Sequence, residues 1–87
     1  MSFVIAARDA SATIRQAVAS ALRQTVSELE VVVVDDASQD ATGLELAAIA
    51  DARLTVHTND RHEGLAASLN RGLDLARARY VARLDAD

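Results

Sequence analysis

The sequence predicts an α/β fold: a four-stranded parallel sheet between layers of helices, in the order β-α-β-α-β-α-β. Three observations carry this expectation. Residues 3–7 form a continuous apolar run and residues 29–34 hold four valines in a row without polar alternation, the pattern of strands covered on both faces. The segments between strands space their apolar residues by three and four, the period of an amphipathic helix. Strand and helix then alternate three times before a last strand, which requires parallel pairing through right-handed crossovers.

The elements follow in order. Phe3-Val4-Ile5-Ala6-Ala7 is the first strand. Arg8-Asp9-Ala10-Ser11 is a polar turn, and Asp9 or Ser11 is expected to cap the next helix. Ile14, Ala17, Val18, Ala21 and Leu22 lie on one face of that helix. The four valines Val31 to Val34 form the core of the second strand, since β-branched residues favour extended backbone. Asp40 or Ser38 is expected to cap a second helix running to about Ala50, with Leu44, Leu46, Ala47 and Ile49 as its apolar residues. Residues 54–58 alternate apolar and polar, which places the third strand at a sheet edge. Leu65, Leu69, Leu73 and Ala76 define a third helix and are expected to be core residues. Residues 80–84 form the fourth strand. The half-exposed third strand suggests the sheet order 3-2-1-4.

Composition excludes several function classes. None of the 87 residues is cysteine, so there is no disulfide framework, thiolate metal site or cysteine nucleophile. The net charge is −4 and the nine basic residues, all arginine, are scattered, so no nucleic-acid surface is expected. No apolar run approaches the ~20 residues of a membrane span. Met1-Ser2-Phe3-Val4-Ile5 enters an apolar run without a basic leader, so no signal peptide is read there and a cytoplasmic location is expected. Alanine supplies much of the apolar content and aromatics only 2 %, a thin core that suits one part of a larger domain.

Polar clusters follow three strands: Arg8-Asp9, Asp35-Asp36 and Asp85-Ala86-Asp87. In a parallel sheet all three lie at the carboxyl edge. In the order 3-2-1-4 the chain reverses direction beside the first strand, where open α/β sheets bind ligands. Asp85 and Asp87, at i and i+2 in extended backbone, point to one side. Their mutual repulsion is relieved by a divalent cation, and hard oxygen ligands suit Mg²⁺ or Mn²⁺. The turns lack the glycine-rich signatures of dinucleotide and triphosphate cradles. A nucleotide in this acidic crevice therefore needs a metal between carboxylate and diphosphate. A chain stopping on such a pair is expected to be part of a longer enzyme. Asp35 is expected to cap the turn after its strand, Asp40 to cap the following helix without a ligand role, and His57 and His62 to have no special role.

These residues resemble the N-terminal half of a family 2 glycosyltransferase with the GT-A fold, a Rossmann-like α/β/α arrangement. The resemblance rests on Ser2-Phe3-Val4-Ile5, the turn at Arg8-Asp9, the run from Val33-Val34-Asp35-Asp36 through Ser38-Gln39-Asp40-Ala41-Thr42, Asn59 through Gly64-Leu65, and Tyr80 through Asp87. It covers essentially residues 1–87, read as one incomplete catalytic domain. It implies a nucleotide-sugar donor, a UDP-sugar being the commonest, and an unknown acceptor. It implies that Asp36 accepts a hydrogen bond from the base, that Ala6 and Arg8 border the base, that Asp85 faces ribose or metal, and that Asp87 holds the cation. It implies that the general base lies beyond residue 87, so that this stretch alone has no transferase activity. The family often carries proline at the Ala6 position and an aromatic at Arg8; the guanidinium can stack on a base in its place. Peripheral contact with the inner membrane face belongs to the same expectation.

Two other readings remain at this point. One is a receiver-like signalling domain, which also gathers carboxylates and Mg²⁺ at a parallel sheet's carboxyl edge. Its usual pocket lysine has no counterpart in this lysine-free chain. The other is a non-catalytic nucleotide-binding remnant.

Overall fold

A computed structural model describes residues 1–26 and 28–86. The elements are β1 (Ser2–Ala7), α1 (Ile14–Leu22), β2 (Glu30–Asp35), α2 (Thr42–Ala47), β3 (Leu54–Thr58), α3 (Leu65–Leu75) and β4 (Val81–Leu84). All pairings are parallel and the sheet order is β3-β2-β1-β4, as the sequence predicts.

This order dictates the layers. The chain moves outward from β1 to β2 to β3, then returns past β1 to β4. A constant crossover hand puts the helices of the two outward steps on one face and the helix of the return step on the other. Accordingly, Ile14, Val18 and Ala21 of α1 and Leu46 of α2 join Phe3, Ile5, Val31 and Val33 in one buried cluster. Each large side chain so buried contributes roughly 1.5–3 kcal/mol. The alternate strand residues face α3, where Gly72 sits directly over Val4 and Val34.

Three local expectations are corrected. Neither Asp9 nor Ser11 caps α1: the cap position is Thr13, which makes no side-chain cap bond. The second helix stops at Ala47 instead of reaching Ala50, and Leu44 is 76 % exposed while Leu46 is buried. A helix this short turns only one large side chain onto the sheet.

The third correction concerns α3. Its leucines are not core: Leu65 is 67 % exposed and Leu73 45 %. The line pressed on the sheet is Ser68 and Gly72, one turn apart. A Cβ on Gly72 would overlap the Val4 Cγ1 methyl, so glycine is what lets the helix lie this close. The leucines flank that line, and Leu65 and Leu69 turn toward the carboxyl-edge crevice.

At the opposite edge of the sheet, buried Ser2 donates to Glu30 Oε2 and accepts from the Ala78 N–H at 3.1 Å. The Arg77 N–H donates to the same Glu30 oxygen at 2.6 Å. These bonds tie the segment entering β4 to β1 and β2. The Ser2 hydroxyl is the largest of the influences that hold the Glu30 carboxyl below its ordinary range.

Candidate nucleotide-binding crevice

The crevice opens where β1 and β4 end. A cavity of about 820 Å³ is lined by Ala6, Arg8, Arg83 and Asp85 together with Leu65 and Leu69 of α3. A smaller cavity of about 160 Å³ shares Ala6, Arg8 and Leu65 with it and adds Asp36, His62 and Ser68. The structure thus gathers the predicted site residues Ala6, Arg8, Asp36 and Asp85 around two adjoining hollows at the switch point beside β1. Asp87, the other predicted metal ligand, lies outside the described residues. Among the described residues no group of three or more His, Cys, Asp or Glu side chains is poised to hold a metal. Asp85 is exposed in the crevice, and its carboxylate oxygens are hard ligands suited to Mg²⁺ or Mn²⁺.

The two turns flanking the crevice are knitted to each other. The Asp9 N–H donates to Ser38 Oγ at 2.9 Å, and Asp9 Oδ1 accepts from the Gln39 N–H at 2.8 Å. The Ala10 N–H donates to Thr42 Oγ1 at 2.8 Å, and the Ser11 N–H to Asp40 Oδ2 at 3.1 Å. Asp9 and Ala37 both take positive φ, 51° and 55°, to make these turns. Such backbone costs a non-glycine residue on the order of 1 kcal/mol or more and persists where surrounding bonds over-determine it. Asp9 lines the crevice, as its position after β1 predicts, and its Oδ1 also braces the neighbouring turn.

Asp35 and Asp36 are adjacent, both buried, and turned to different tasks. Asp35 Oδ1 accepts from the Ser38 N–H at 3.1 Å and from its hydroxyl, so it braces the turn as expected. Asp40 accepts from the Thr42 N–H at 2.9 Å, but neither it nor Ser38 caps α2 as expected: the cap position is Ala41, which makes no side-chain cap bond. Asp36 faces the loop between β3 and α3. Its Oδ1 accepts from Asn59 Nδ2 at 2.9 Å and the Glu63 N–H at 2.7 Å. Its Oδ2 accepts from the Gly64 N–H at 2.9 Å and lies 2.7 Å from His62 Nδ1. Burial alone would raise this carboxyl's pKa. The hydrogen bonds and the neighbouring imidazole outweigh it and lower the value from 3.8 to about 2.

Two partners of Asp36 escaped the sequence reading. Asn59 is 4 % exposed; it also donates to Ser68 Oγ at 3.1 Å, and its Oδ1 has no protein partner. Ser68 is thereby explained as a buried polar residue on the packed line of α3. His62 has a half-exposed side chain, and only the folding of its loop back onto Asp36 reveals a role. Gly64 enables that return, with φ 98° just ahead of α3.

An open parallel sheet with carboxylates at its switch-point crevice defines an α/β domain with a candidate ligand site there. The chain belongs to glycosyl transferase family 2, whose family model matches residues 2–87. It is 45 % identical over 87 residues to the succinoglycan biosynthesis protein ExoO of Rhizobium meliloti, covering all of this chain and 25 % of that protein. It is 38 % identical over 87 residues to the Escherichia coli glucosyltransferase WfaP, named a UDP-Glc:α-D-GlcNAc-diphosphoundecaprenol β-1,3-glucosyltransferase, again over all of this chain and 35 % of the relative. Among solved structures, S. aureus TarS 1–349 in complex with UDP-GlcNAc superimposes with a TM-score of 0.90 at 27 % identity, over 99 % of this chain and 26 % of that one. The mannosyltransferase PcManGT of Pyrobaculum calidifontis, in complex with GDP-Man and Mn²⁺, gives a TM-score of 0.89 at 28 % identity, over 99 % and 27 %. The chain therefore spans about a quarter to a third of the length of these proteins. Membership of this family sets the receiver-like reading aside.

Proposed function

We propose that this chain is the donor-binding part of a metal-dependent glycosyltransferase that moves a sugar from a nucleoside diphosphate, most simply UDP, to an acceptor held by further polypeptide. One observation carries the reading: the two adjoining hollows place Ala6, Arg8 and Asp36 beside a base-sized space and Asp85 at the wider end. Nucleotide-sugar complexes of the two structural neighbours support a donor here, and the presence of Mn²⁺ together with GDP-Man in one of those complexes supports a divalent ion.

In this reading the base enters the smaller hollow over Ala6, with the Arg8 guanidinium against its face. The diphosphate extends toward β4. Asp85 and Asp87 would hold Mn²⁺ or Mg²⁺, which as a Lewis acid stabilises the departing nucleoside diphosphate. In this reading the general base lies beyond residue 87, and sugar transfer needs those further residues. Among the described residues no helix is long and apolar enough to cross a membrane. We place the protein in the cytoplasm, where the donors are made, with peripheral contact at the inner membrane face.

The reading is tested by incubating the protein with radiolabelled UDP-glucose and UDP-GlcNAc in Mn²⁺. Retention of nucleotide sugar without transfer to added acceptors is the expected result. Absence of retention contradicts the donor site, and transfer by the 87-residue chain alone contradicts the missing base.

A further inference from the structure

The sheet has open edges at β3 and β4 among the described residues, and the two differ. β4 carries Arg83 and leads into Asp85, charges of the kind that keep another strand away. β3, Leu54-Thr55-Val56-His57-Thr58, holds no Lys, Arg, Asp, Glu or Pro. Its ladder to β2 fixes which backbone groups are left over. The Val31 N–H donates to the Arg53 carbonyl and the Asn59 N–H to the Asp35 carbonyl, both at 2.9 Å. In a parallel ladder alternate residues bond to the same neighbour. Arg53, Thr55, His57 and Asn59 therefore face β2, and Leu54, Val56 and Thr58 turn their backbone groups outward. The Leu54 N–H is taken by the Asp51 carbonyl at 3.1 Å, and no described strand meets the rest. Val56 is paired with Val33, so its side chain lies on the face that α1 and α2 cover, yet it is 40 % exposed.

We infer that this edge pairs with itself: β3 of one copy and β3 of a second copy align antiparallel about a two-fold axis at Val56, joining two sheets into one. The register is self-complementary. Val56 of each copy exchanges both of its backbone bonds with Val56 of the other. The Thr58 N–H of each copy donates to the Leu54 carbonyl of the other, which leaves the occupied Leu54 N–H undisturbed. On the helix-covered face the two Val56 side chains meet at the axis. On the opposite face Thr55 lies beside His57 of the second copy, so neither imidazole faces its twin. Asp51 and Arg53 precede the strand and Asp60 and Arg61 follow it. Antiparallel pairing sets the first two beside the last two of the second copy, so acids and bases balance at each end. A two-fold contact is closed and stops at the dimer. One strand pair falls below the ~1,200 Å² of a standard interface, so the association is weak and reversible. The crevice beside β4 lies toward the far edge of the sheet and stays open, and the inference is independent of what binds there.

The test is sedimentation equilibrium of the protein from about 10 µM to about 1 mM, with a dimer dissociation constant on the order of 0.1 mM expected. Amide hydrogen exchange at the two ends of that range identifies the surface. The Val56 and Thr58 N–H groups are expected to exchange freely when dilute and about 5-fold more slowly when concentrated, as the monomer fraction falls. Thr55 and His57, bonded to β2, are expected to be protected at both concentrations. Val56→Lys sets like charges at the axis and is expected to weaken the dimer at least ~10-fold. Val56→Pro removes only an outward N–H, keeps the bonds to β2, and is expected to do the same. The wild-type exchange pattern decides the matter without either variant. A protein that stays monomeric to about 1 mM overturns the inference. So does a dimer that survives both substitutions, or one whose Val56 and Thr58 amides exchange alike at both concentrations. Growth past the dimer overturns the closed pairing.

Discussion

Asn59 Nδ2 donates to Asp36 Oδ1 at 2.9 Å, with both residues buried, joining the ends of β2 and β3 across 23 positions of sequence. The bond fastens the loop after β3 over the residue that borders the base-sized hollow. It makes the wall of the candidate site part of the fold's own polar core and couples the folding of that loop to the carboxylate.

That coupling has a pH signature. The Asp36 carboxyl is lowered from 3.8 to about 2 by its donors. The folded value lies below the unfolded one, so its contribution is complete above 3.8 and is lost as pH falls toward 2. Thermal melts between neutral and strongly acidic pH should show the wild-type midpoint falling across this window. Asp36→Ala strands three donors and should cost about 2–3 kcal/mol at neutral pH, with a shallower fall on acidification.

Gly72 tests how closely α3 must lie on the sheet. Gly72→Ala sets a methyl into Val4 and should destabilise by about 1–3 kcal/mol despite alanine's better helix propensity. Urea denaturation is the measurement. A stabilised variant would show that the helix has room to rise.

The amino-edge network offers a control remote from the crevice. Ser2→Ala leaves the Ala78 N–H and a Glu30 oxygen without the buried hydroxyl between them. The expected cost is about 1–2 kcal/mol in denaturant melts, with nucleotide affinity unchanged. A loss of nucleotide affinity in a folded Ser2→Ala protein would mean that the two edges of the sheet communicate.

Much of the fold was legible because its signals are local and redundant. Four consecutive valines admit little but a doubly covered strand, and the alternation at Leu54-Thr55-Val56-His57-Thr58 marked the edge. The sheet order followed from those two patterns and from chain reversal. What escaped was set by contacts distant in sequence. The leucine spacing of α3 announced a helix correctly but named the wrong face, because Ser68 and Gly72 were favoured on the sheet by their small size. Asp9 lines the crevice as predicted, yet nothing near it in sequence announced that its Oδ1 accepts from the Gln39 N–H. His62 looked solvated because nothing near it in sequence predicts that its loop folds back on Asp36.

The central claim is that a divalent ion held at the end of β4 brings a nucleoside diphosphate into this crevice. Calorimetric titration of UDP in Mn²⁺, repeated in EDTA and with Asp87→Ala and Asp85→Asn, tests it most directly. The account predicts saturable binding in Mn²⁺ that disappears in EDTA and weakens at least ~10-fold, about 1.4 kcal/mol, in each variant. Metal-dependent UDP binding that survives Asp87→Ala unchanged would contradict it.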